Sequence, residues 1–406
     1  MNARVSIPSR STVTLDVVDG DLVVGDHAVV RGTSSVSTIK VFGSVYCEGH
    51  NTFECNLSTQ NLETEGDLTI HGDLEVQEEV TVEDGHLEVH GKMTAKQIDV
   101  DRTLHVKTDL STEEVEVGGR LEVGGKVVAR NIDVGGTLEI GGEIQAERVD
   151  VGGSFSSESR TNIAKLNVGG AARVDGGRID NIDVGGSFES KAPLVFEEID
   201  VGGTVRLTDK NKGGNIDVGG YLEVNGHLEF REIDVGGHVK ITGSATGNNV
   251  DVGGRIEVDG SLTLSGSLEV GGRIRVLQEV SAQNIEVGGS LQAKKVVAQA
   301  NVEVGGSIKT DSGVTAAFVE IGRNGEVQGP IRAEEVIIGR DAHAEDIYGK
   351  RILLRTGAQS HNIYGENITL EPRCSVSGEI QYSNILRTGD HVTLSTQSRK
   401  VDKLPQ

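Results

Sequence analysis

Residues 131–142 read NIDVGGTLEIGG. Ile132, Val134, Leu138 and Ile140 alternate with Asp133, Thr137 and Glu139, the period of two that marks half-buried strands. Gly135 and Gly136 divide the two strands, and paired glycines are expected to turn the chain there by admitting positive φ. Working outward, the pattern returns as EIDVGGTVRL from Glu198, EIDVGGHVKI from Glu232 and NVDVGGRIEV from Asn249. Second turns such as Gly141-Gly142, Asn225-Gly226 and Asp259-Gly260 lead into a third short strand, EIQA or HLEF. Three strands and three corners then make one coil. No window repeats at 3.6 residues, and each glycine would cost a helix about 1 kcal/mol.

The apolar residue before each Gly-Gly, or its equivalent, serves as an anchor. Anchors run through Val100, Val117, Val134, Val151, Val168, Val184, Val201, Val218, Val235, Val252, Val270, Val287, Val304, Ile321, Ile338, Leu354 and Leu370, most of them seventeen residues apart. Before them come Val82 and Thr64 at steps of eighteen, then Val41 and Val24, with a longer interval between Val41 and Thr64. One coil cannot bury its own apolar face, but a stack can. The expected fold is all-β: a single-stranded parallel β-helix, or β-solenoid, of about 17 residues per coil and roughly twenty coils. Residues 1–11 are expected as a flexible N-terminal tail and 12–385 as a continuous β-helix with a looser coil near 48–60. Residues 386–406 are expected as a polar C-terminal tail.

Composition narrows the function. The chain has 406 residues, 56 of them glycine, no tryptophan and a formal net charge of −23. That charge argues against a nucleic-acid partner, because phosphate binding needs concentrated Lys and Arg. Cys47, Cys55 and Cys374 form no CxxC pair and read as buried free thiols of a reducing compartment. No stretch approaches eighteen apolar residues, and the N-terminus lacks the apolar core of a signal peptide. A cytoplasmic location is expected, with any membrane association weak and confined to the basic segment MNARVSIPSR.

Stacking turns each repeat position into a column. The position before the anchor holds Asp99, Glu116, Asp133, Asp150, Asp183, Asp200, Asp217, Asp234, Asp251, Glu269, Glu286, Glu303 and Glu320. This acidic column reads as a solvated face, lacking the mixed ligand set of a calcium site, with a groove for loosely held divalent cations or a basic partner as the alternative. A second outward column, Arg173, Glu189, Arg206, Glu223, Lys240, Glu257 and Arg275, alternates in sign and is structural. A third, Asn131, Asn181, Asn215, Asn249, Asn284 and Asn301, reads as left-handed corners or stacked amides. The eleven histidines are scattered, with no base–nucleophile arrangement and no metal-ligand spacing. No catalytic, cofactor-binding or metal-binding residues are assigned, no cofactor is implied, and the chain is expected not to be an enzyme.

The segments GDLVVGDHAVVRG, GDLTIHGDLEV, GGEIQAERVDVGG and NGEVQGPIRAEEVIIGRDAHAEDI resemble the bactofilins, the polymer-forming cytoskeletal proteins. The resemblance covers roughly residues 15–383 and lies in period and style. It implies a right-handed β-helix that assembles end to end without nucleotide into filaments. It further implies a scaffold that localises other proteins, among them scaffold or cell-envelope proteins, and influences cell shape. Two alternatives are a left-handed hexapeptide-repeat acyltransferase, whose coil needs eighteen residues, and a solenoid adhesin or binding protein.

A solenoid ends in unpaired strand edges, which invite further pairing. Self-association into a homopolymer is therefore expected through Val13, Leu15, Val17, Leu22 and Val24 at one end. Leu370, Val376, Ile380 and Tyr382 are expected to serve at the other.

Overall fold

The computed structural model describes residues 4–34 and 37–405. Among them every regular element is a strand and every strand pairing is parallel. The fold is an all-β solenoid of about 23 turns with about 17 residues per turn. The chain divides into two compact units, Met1–Gly202 and Gly203–Gln406. The division falls at the Gly202-Gly203 corner, inside the stretch read from sequence as one continuous β-helix.

The N-terminal unit opens with β1 (Arg4–Ile7), β2 (Thr12–Thr14), β3 (Val17–Val18), β4 (Asp21–Val24), β5 (Val29–Arg31) and β6 (Thr38–Val41). It continues with β7 (Ser44–Glu48), β8 (Asn51–Phe53), β9 (Asn56–Thr59) and β10 (Asn61–Glu65). Each strand pairs with the third strand after it, as in β1–β4–β7–β10 and β2–β5–β8, which gives the coil three faces. Ile7, Val24, Cys47, Thr64, Val82, Val100 and Val117 stand in register, and the line runs on through Val134, Val151, Val168 and Val184 to Val201. In the C-terminal unit the same line runs from Val218 to Leu370 and ends on Thr388.

The anchors are buried because the period-two pattern points them inward while their Asp and Glu neighbours face water. Full burial of a Val, Leu or Ile side chain stabilises by about 1.5–3 kcal/mol, and the column repeats that gain at every coil. All three cysteines are free and buried. Burial pushes the Cys47 thiol up to about 12.

The glycine corners are built differently from expectation. Gly135 and Gly136 do not have positive φ. A Cβ at Gly135 would instead lie 2.2 Å from the Gly118 carbonyl oxygen, and one at Gly136 would lie 2.4 Å from that of Gly119. Glycine is required there because stacked corners bring one backbone against the next.

Three sequence expectations need correction. Arg4–Ile7 is no tail: it pairs with β4, placing Ile7 against Val24 seventeen residues on. Residues 386–406 are not simply a tail either, since Ile380–Thr388 continues the stack and both Thr393–Leu394 and Arg399–Lys400 pair onto the coil before them. Finally, the loose coil is not at 48–60, where β8 and β9 are regular. Val24 pairs with Cys47, not Val41, and Val41 pairs with Val18. The extra residues lie between β5 and β6, where Ser37 Oγ donates to the Ser34 carbonyl at 2.6 Å.

Candidate functional site

The residues expected at the ends divide into two groups. Leu22 and Val24 are 0% exposed, enclosed between β1 and β7. Leu370 and Val376 are equally buried, covered by Thr388 and Leu394, and Ile380 is buried in register with Ile363. Those five are core, because the stack extends one coil farther at each end than the sequence suggested. Val13 and Leu15 are half-buried in the first coil, Val17 is 53% exposed, and Tyr382 is half-buried in register with Lys400.

The strand edges lie farther out. Among the described residues β1 pairs only with β4, β2 only with β5 and β3 only with β6. Thr393–Leu394 and Arg399–Lys400 likewise pair on one side only. Of the large apolar side chains left exposed, Val5, Val17, Phe42 and Tyr46 cluster in the first coils, and Ile385 lies in the last. Phe42 is 66% exposed, and its N–H donates to the carbonyl of Val18, beside Val17. The sequence signal for β1 was present: one further step of seventeen back from Val24 reaches Ile7, within the alternating run RVSI.

The acidic column is a column in fact. Asp99, Glu116, Asp133 and Asp150 occupy successive register positions, and Asn167 interrupts them before Asp183 and Asp200. In the C-terminal unit Asp217, Asp234, Asp251, Glu269, Glu286, Glu303 and Glu320 stand in one unbroken line. All thirteen face outward. One stretch of it borders a trough of about 450 Å³ lined by Glu114, Glu116, Asn131, Asp133, Arg148 and Asp150. There Arg148 pairs with Asp150, and Asn167 Nδ2 also donates to it. Burial raises the Asp150 carboxyl, but these two hydrogen bonds outweigh it and hold the group below its ordinary value.

In the alternating column Arg173 meets Glu189 at 2.8 Å and Arg206 meets Glu223 at 3.5 Å, so these pairs tie coils together. The asparagine column behaves otherwise than expected. None of its six members has positive φ. Asn131 donates to Glu114 at 3.1 Å and Asn249 to Glu232 at 3.3 Å, while Asn215 accepts from Arg231 at 2.9 Å.

The histidines are less scattered in space than in sequence. His27 and His50 lie with Asp26 at one corner of the N-terminal unit. His71 and His90 meet at another, with ring centroids 4.6 Å apart. Sequence reasoning missed both pairs, because their spacings of 23 and 19 residues depart from the period.

Among the described residues no helix is long and apolar enough to cross a membrane. No family model, curated protein or solved structure matches the chain.

Proposed function

We propose that the chain is a non-enzymatic, polymer-forming scaffold of the bactofilin type. It associates with further copies of itself through its terminal coils, without nucleotide, in the cytoplasm. In this reading the assembled solenoids form a cytoskeletal element that localises partners and influences cell shape. The observation that carries it is the coincidence of open strand edges with exposed apolar side chains. β1, β2 and β3 present unpaired backbone edges among the described residues, and Val5, Val17 and Phe42 are exposed beside them. Such an edge is a template for another strand, and soluble proteins ordinarily blunt it with Lys, Pro or a covering loop. Contacts between unlike ends generate an open filament wherever the rotation from one copy to the next does not close into a ring.

Sedimentation velocity and negative-stain microscopy test this directly. Wild type is expected to form elongated assemblies as concentration rises, over a range of salt. The double substitution Val17→Lys with Phe42→Lys, and separately Ile385→Lys, should leave single folded particles with unchanged thermal melts. Ile380→Lys is unsuitable as a test, because Ile380 is core. A wild type that stays monomeric at high concentration at every salt overturns the reading.

A further inference from the structure

Three successive coils of the N-terminal unit turn the same corner with side chains that bind metals. The turn between β4 and β5 carries Asp26 and His27, the turn between β7 and β8 carries His50, and Asp67 follows β10. A carboxylate oxygen of Asp26 and one ring nitrogen from each of His27 and His50 all lie within 4.8 Å of one another. His27 Nδ1 is 2.6 Å from Asp26 Oδ1, and the two imidazole rings face each other with centroids 5.3 Å apart and planes 32° apart. On the far side, Asp67 Oδ2 is 3.1 Å from His50 Nε2.

The backbone holds these groups in place. His27 has φ 58°, a left-handed conformation uncommon outside glycine. The Asp26 carboxylate accepts the His50 N–H at 3.0 Å. Gly49, at φ 68°, leaves room for it: a Cβ there would lie 2.0 Å from Asp26 Oδ1. Asp67 is itself fixed, its Oδ1 accepting the His86 N–H at 3.0 Å. The Asp26 carboxyl is kept below its ordinary value first by the His50 backbone N–H and then by His27.

We infer that Asp26, His27 and His50 form a binding site for a divalent transition-metal ion of the zinc class, with Asp67 orienting the His50 ring. Two imidazoles and one carboxylate are a borderline-soft nitrogen and oxygen set, which favours Zn²⁺ over Ca²⁺ or Mg²⁺. A carboxylate behind a ligating histidine is the usual outer partner, setting tautomer and ring direction. Tetrahedral ligation at about 2.0–2.1 Å sets ligand atoms roughly 3.3–3.4 Å apart, so the Asp26 and His27 atoms, now 2.6 Å apart, open slightly around the ion. Because both histidines are exposed, water completes the coordination. The site joins adjacent coils close to the open β1–β3 edge, so the ion acts as a clip between them. This inference stands independently of the assembly reading.

The test is equilibrium dialysis of the full chain against Zn²⁺, with Co²⁺ as a spectroscopic substitute. Wild type is expected to hold one Zn²⁺ at this site and to give a Co²⁺ visible spectrum with nitrogen ligation. His27→Ala and His50→Ala should each weaken binding at least tenfold, with metal-free melts unchanged. His71→Ala and His90→Ala, at the neighbouring corner, should leave it intact. Calorimetric melting should show Zn²⁺ raising the melting temperature of wild type but not of His27→Ala. Absence of binding at micromolar Zn²⁺, binding that survives both substitutions, or binding lost instead with His71 and His90 would overturn the inference.

Discussion

The first coils, residues 4–65, and the array from Glu114 to Val201 share one line of inward anchors yet differ in what surrounds it. In the array the line is Val at every coil, the corners are Gly-Gly and the position before the anchor is acidic or Asn. In the first coils the line reads Ile7, Val24, Cys47 and Thr64, and the position before it reads Ser6, Val23, Tyr46 and Glu63. Their corners carry His27 and His50, and Phe42 is exposed at the corner between β6 and β7. The regularity of the array favours stacking of like coils. The first coils give up part of that regularity, and the candidate edge and metal ligands lie where they do so.

The largest expected effect breaks the array. Gly135→Ala places a methyl 2.2 Å from the Gly118 carbonyl oxygen, a backbone atom that cannot rotate away. The coils must part locally, at a cost on the order of 2 kcal/mol. A thermal melt should fall by several degrees. Because Gly135 lacks positive φ, an unchanged melt would show that the close approach yields easily and that glycine is not needed there.

A smaller effect, of opposite sign, repairs the irregular region. Thr64 occupies an anchor position, is 1% exposed, and its Oγ1 is buried without a hydrogen-bond partner. An unsatisfied buried hydroxyl costs about 1–3 kcal/mol, and Val has nearly the same shape. Thr64→Val should therefore raise stability by about 1 kcal/mol in chemical denaturation. A loss of stability would mean that the hydroxyl has a partner, a water for instance, and that the column is more polar than its register implies.

Legibility followed the same division. Val100 through Leu370 were read correctly as buried anchors because alternation, glycines and a near-constant period agree with one another. Val41 was mistaken for an anchor because it lies seventeen residues after Val24. The true partner, Cys47, lies beyond extra residues between β5 and β6 that no pattern marks. Leu22 and Ile380 were placed at the ends because no glycine corner announces β1, and because the anchor line closes on Thr388, where the apolar signal fails. The Gly-Gly pairs were recognised as corners but explained by dihedral freedom, since a carbonyl from the coil beneath is visible only once the coils are stacked. Asp26, His27, His50 and Asp67 could not be joined from sequence, because one step between them is 23 residues and the next seventeen.

The smallest effect separates the two kinds of outward column. Asp234 stands in register between Asp217 and Asp251, whereas Glu223 stands beside Arg206 and Lys240. Neighbouring coils are about 4.8 Å apart. Like charges at that spacing repel by about 0.9 kcal/mol even at the dielectric of water, before screening. The unfolded chain separates the same charges, so folding brings the repulsion on. Asp234→Asn removes it and should stabilise the fold by less than about 1 kcal/mol at low salt, seen as a slightly raised melting temperature. Glu223→Gln removes attraction instead, including the 3.5 Å pair with Arg206, and should lower the melting temperature slightly under the same conditions. Both differences should shrink towards zero near 1 M salt, where the screening length falls to about 3 Å. Melts of the two variants at low and high salt make the comparison. If Asp234→Asn lowers the melting temperature at low salt, the acidic line is held together by bound cations, and its carboxylates act as ligands rather than as a solvated face.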